Sequence, residues 1–78
     1  MSKVVENRNL FEDMLERLYS SEGLSECVEY RTSAELAYEF RNSVSVSLLD
    51  VSEVMRRAGY KLERFGDEPK WRVYVVND

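Results

Sequence analysis

Apolar positions along the chain repeat first at helical spacing, then at strand spacing. In "NLFEDMLERLYSSEG", Leu10, Phe11, Met14, Leu15 and Leu18 form one stripe, with Glu12, Asp13 and Glu16 on the other face. Asn9 with Glu12 three residues on has the form of a capping box, and Gly23 is a natural stop. The spacing therefore predicts a first helix from about residue 9, with residues 1–8 as a flexible arm and 9–76 as the folded domain. From Glu26 to Arg31 the pattern alternates, Cys27 and Glu29 against Val28 and Tyr30, which predicts a short edge strand. Thr32 and Glu35 form the next T-x-x-E box and open a second helix that buries Leu36, Ala37 and Phe40.

"NSVSVSLLDVSEVMRRAGY" begins with a strand-like Ser/Val alternation. The following residues overrule it, because Leu48, Val51, Val54, Met55 and Ala58 fall on a helical stripe and Gly59 ends it. Ser47 and Asp50 supply S-x-x-D at its front, so residues 41–46 read as a turn and 47–58 as a third helix. The tail is a hairpin: "YKLERF" and "KWRVYVV" are rich in aromatic and β-branched residues, with turn chemistry in "GDEP" between them. The expected core is Leu10, Met14, Leu15, Leu18, Leu36, Phe40, Val51, Met55, Leu62 and Val73.

Composition narrows the class. Seventy-eight residues, 44% hydrophobic and 33% charged, make one small globular domain. The single cysteine, Cys27, has no partner for an internal disulfide, no stretch approaches the ~20 apolar residues of a bilayer span, and "MSKVVENRN" lacks a signal-peptide core. The expectation is a cytoplasmic protein with no membrane partner. There is no histidine, no Gly-rich phosphate loop and no metal-ligand spacing, so neither an enzyme nor a metal or other cofactor is expected. Cys27 reads as a small apolar residue rather than a nucleophile.

Charge is uneven. The formal net charge is −4, yet residues 1–53 sum to −6 and residues 54–78 to +2. Local potential steers a polyanion more than the global sum does. The positive segment holds Arg56, Arg57, Lys61, Arg64, Lys70 and Arg72.

The order helix, short strand, helix, turn, helix, hairpin resembles the winged helix-turn-helix family over roughly residues 9–76. "TSAELAYEF" stands as its second helix, "SLLDVSEVMRRAGY" as its third, and "KLERFGDEPKWRVYVV" as strand, wing and strand. "VMRRAGY" followed by a basic hairpin ending in "VYVV" is similar to winged-helix modules of phage and mobile-element replication proteins. The resemblance implies an α+β fold: a three-helix core, a short first strand and a C-terminal wing. It also implies that the third helix enters the major groove of double-stranded DNA while the wing follows the backbone. Carried onto this sequence, the DNA-binding candidates are Ser45, Ser47, Arg56, Arg57, Lys61, Arg64, Lys70 and Arg72. Asp50, Glu53, Asp67 and Glu68 would repel an approaching phosphate. The alternative is a winged-helix module that binds a protein partner or forms a homodimer without DNA.

Overall fold

A computed structural model describes residues 3–76. They run α1 (Lys3–Leu18), β1 (Tyr19–Ser20), a 3-10 turn (Ser25–Cys27), β2 (Val28–Arg31), α2 (Ser33–Glu39), α3 (Leu48–Arg57), β3 (Lys61–Phe65) and β4 (Glu68–Val75). The result is an α+β domain, three helices against one four-stranded antiparallel sheet among the described residues. β4 is central. β2 pairs along one edge, from Val28 opposite Tyr74 to Arg31 opposite Trp71. β3 pairs along the other, from Lys61 opposite Arg72 to Phe65 opposite Glu68, and β1 continues that edge with Tyr19 opposite Val75.

Local chemistry sets most boundaries. Two of the three expected capping boxes form. Thr32 Oγ1 accepts from the Glu35 amide at 3.0 Å while Glu35 accepts from the Thr32 amide at 2.8 Å. Ser47 Oγ accepts from the Asp50 amide at 3.1 Å, and Asp50 Oδ2 from the Ser47 amide at 3.3 Å. α3 ends in a Schellman arrangement, in which the Gly59 amide donates to the Arg56 carbonyl at 3.1 Å and the Tyr60 amide to that of Met55 at 3.0 Å. Gly59 sits at φ +92°, where a side chain would be strained. The hairpin turns on Gly66 and Asp67, with Gly66 at φ +65°, the pattern of a type II′ turn. Pro69 is tolerated in β4 because β2 pairs no further than Trp71, so one side of the strand needs no amide there.

The first helix departs from expectation. It begins at Lys3, inside the segment read as an arm, and ends at Leu18, before Gly23. Asn9 is therefore an interior residue of the helix rather than its cap. Residues N-terminal to it are anchored across the fold: Asn7 Nδ2 donates to the Ser45 carbonyl at 3.0 Å, and Arg8 reaches α3. Gly23 has a different role, since a Cβ there would stand 2.9 Å from Tyr74 Cβ.

The core gathers Phe11, Leu15, Tyr19, Leu36, Phe40, Val44, Val51, Val54, Met55, Tyr60, Trp71 and Val73. Phe11 and Phe40 meet edge to face at 5.5 Å. Leu10, Leu18 and Leu62, expected inside, are exposed, and so is Leu48. On α1 the rows Leu10–Met14–Leu18 and Phe11–Leu15 adjoin, and only the second, continued by Tyr19 of β1, points inward; Met14 is partly buried. Leu62 faces the helices opposite buried Trp71, but β3 is an edge strand and overhangs the core. No helix among the described residues is long and apolar enough to cross a membrane.

Candidate nucleic-acid interface

α3 determines which candidates share a surface. Val51, Val54 and Met55 point into the core, leaving an outward arc of about 140° that carries Leu48, Leu49, Ser52, Glu53 and Arg56. α1 covers one border of this arc through a ladder of ion pairs. Arg8 Nε donates to Asp50 Oδ1 at 2.7 Å, Arg8 Nη2 lies 2.9 Å from Glu53 Oε2, and Arg57 Nη2 donates to Glu12 Oε1 at 2.8 Å. The spacing explains the ladder: Arg8 and Glu12 are four apart on α1, Glu53 and Arg57 four apart on α3, and i,i+4 residues share a face. The Arg8 hydrogen bond, with those from Ser47, holds the Asp50 carboxyl below the usual carboxylate range, against the opposing effect of burial. One guanidinium therefore offsets part of the negative charge of both acids, and the Arg8, Asp50 and Glu53 group keeps a net charge of −1.

The eight candidates divide into groups. Ser45 is exposed and engaged through its backbone carbonyl; Ser47 is committed to the α3 cap. Arg57 is turned toward α1. Lys61, Lys70 and Arg72 lie on the sheet face opposite the helices, since each pairs across the ladder with a residue of that face. There Lys70 Nζ is 3.4 Å from Glu68 Oε1 and Arg72 Nη1 is 3.5 Å from Glu63 Oε2. The same face carries Tyr30 against Phe65, ring centroids 4.7 Å apart. Arg64 lies with Leu62 on the helix-facing side of the hairpin. Arg56, Lys61 and Arg64 are exposed and enter no ion pair among the described residues. Because β3 is an edge strand, Lys61 from one face and Arg64 from the other flank the same border.

Between α3 and this border runs a groove lined by Leu48, Ser52, Leu62, Pro69 and Trp71, with the start of α2 at its far wall. Its floor is fixed by hydrogen bonds: Trp71 Nε1 donates to Ser33 Oγ at 2.9 Å, and Ser33 and Ser52 hydroxyls are 3.2 Å apart. Leu48, Leu49 and Ser52 were not among the sequence candidates, because Leu48 fits the apolar stripe of α3 equally well. The one available signal was Leu49 beside it, a second leucine that the stripe does not accommodate. Among the described residues no group of three His, Cys, Asp or Glu side chains could hold a metal ion. The chain matches no family model, no curated protein and no solved structure.

Proposed function

We propose that this domain is a winged-helix module that binds duplex DNA, laying the outward arc of α3 in the major groove and the β3 border of the wing along the backbone. The observation that carries the reading is the placement of Arg56, Lys61 and Arg64, three exposed cations that enter no ion pair among the described residues, on the end of α3 and the strand that follows it. Support also comes from Arg8, whose single positive charge reduces the repulsion from Asp50 and Glu53, and from the element order with β4 central and a hairpin next to α3. Relative to the sequence candidates, Arg57, Lys70 and Arg72 become secondary, because a phosphate must compete with Glu12, Glu68 and Glu63 for them. Exposed ion pairs are weak, so that competition is a matter of about 0–1 kcal/mol each.

A second reading, docking of a protein partner or a second copy through the same surface, is favoured by the acidic wing tip of Asp67 and Glu68 and by the exposed Leu62 and Pro69. Titrating labelled duplex DNA while recording backbone amide shifts separates the two. The DNA reading expects shifts at 48–58 and 61–65 at low salt, with log K falling against log salt at a slope of roughly −3 for three neutralised phosphates. No shift in those segments at low salt would transfer the surface to a protein partner.

A further inference from the structure

We propose that Leu48 and Leu49 are a thymine-methyl reader, making the module selective for duplexes that present C5-methyl groups in the major groove; the inference rests on the DNA-binding reading above. Leu48 is 56% and Leu49 64% exposed, on the first turn of α3. The N-terminal residues of a recognition helix are those that reach base edges. The turn is rigid, held by the reciprocal Ser47–Asp50 cap and by Arg8 on Asp50. It therefore presents both leucines from a capped backbone turn. Polar side chains that read bases by hydrogen bonding are scarce on the arc: Ser52 is partly buried and faces Ser33, Glu53 is held by Arg8, and Arg56 lies two turns further on.

What remains at the front of the helix is two isobutyl groups. The base-edge feature that rewards apolar contact in the major groove is the thymine methyl. Charge complementarity selects DNA as the occupant, because Arg56 shares the outward arc of α3 with these leucines and Arg64 stands opposite Pro69 at the border of the groove that Leu48 lines, neither in an ion pair among the described residues.

Short duplexes that differ only in methyl groups test this. Alternating d(AT) is compared with alternating d(AU), in which deoxyuridine replaces thymidine, and alternating d(GC) with the same duplex bearing 5-methylcytosine. Affinity should fall about fourfold for each contacted methyl removed and rise about fourfold for each one added, the effect of burying one such carbon. In Leu48→Ala/Leu49→Ala both differences should vanish while low-salt binding through the cations persists. Equal affinity with and without methyl groups overturns the inference and leaves the DNA-binding reading standing. Absence of binding to all four duplexes overturns both. The base edits leave the protein unaltered, so the result does not depend on how the variant folds.

Discussion

Asp50 ties the start of α3 to α1. It caps the helix, pairs with Arg8 and is almost fully covered. Asp50→Ala should cost about 1–2 kcal/mol, read from thermal or urea unfolding. Its pH signature follows from its depressed pKa. An Asp with a folded pKa below its unfolded value of about 3.9 contributes stability that is fully present above that pH and is lost as pH falls through the lower folded value. Unfolding curves between about pH 5 and pH 2 should therefore be steeper in the native protein than in Asp50→Asn. Glu35, held down by the Thr32 amide hydrogen bond, acts in the same direction. Tyr60 is the opposite case: burial, with Glu16 and Glu12 nearby, pushes its hydroxyl up to about 12, so it stays neutral under any ordinary condition. Gly23 makes a further residue-scale prediction. Gly23→Ala places a methyl against the base of the Tyr74 side chain, where rotation gives no relief, and should destabilise by about 1–3 kcal/mol in the same measurement.

At the scale of elements, Leu15 and Phe11 of α1 and Phe40 at the end of α2 belong to one core with α3 and β4. Leu15 is fully buried and Phe40 nearly so. Leu15→Ala or Phe40→Ala should each cost about 2–5 kcal/mol by loss of contacts and the cavity left behind. A domain of this size holds about 4–12 kcal/mol in total, so either variant should be unfolded or close to it by circular dichroism at 37 °C. Leu10→Ala and Leu18→Ala, on the same helix but exposed, should shift unfolding far less. Equal losses across all four would show that the inward row of α1 is misassigned.

For the whole molecule, an acidic chain binds a polyanion only if its positive charge is local and its negative charge is occupied. Arg56→Glu/Arg64→Glu should abolish duplex binding without unfolding the domain, because both side chains are exposed and neither supports a neighbour through an ion pair. If the domain binds DNA as proposed, Asp67→Lys/Glu68→Lys at the hairpin tip should strengthen binding and steepen its salt dependence by about one to two units of slope. Fluorescence anisotropy on one duplex across a salt series reads both. Binding that survives the Arg56/Arg64 reversal would move the interface away from α3 and β3.

Sequence alone determined the ends of α2 and α3 and the hairpin turn, whose signals are local, although the equally local Asn9–Glu12 box and Gly23 stop did not bound α1. The Thr32–Glu35 and Ser47–Asp50 boxes, the Gly59 stop and the Gly66 turn each involve residues within a few positions of one another, and the chain obeys them. The positive balance of residues 54–78 was also plain to read. Tertiary structure decided the rest because the deciding contacts span long separations. Arg8 meets Asp50 across forty-two residues, and Arg57 meets Glu12 across forty-five. Those pairs anchor α1 against α3, set one guanidinium beside two acids of α3 and commit Arg57, still largely exposed, to Glu12. Periodicity likewise marks an apolar stripe without saying which of its borders a neighbour will cover. Leu15 and Leu18 share a stripe on α1, and Leu48 and Val51 share one on α3, yet only Leu15 and Val51 are buried, because burial depends on where the sheet and the other helices end.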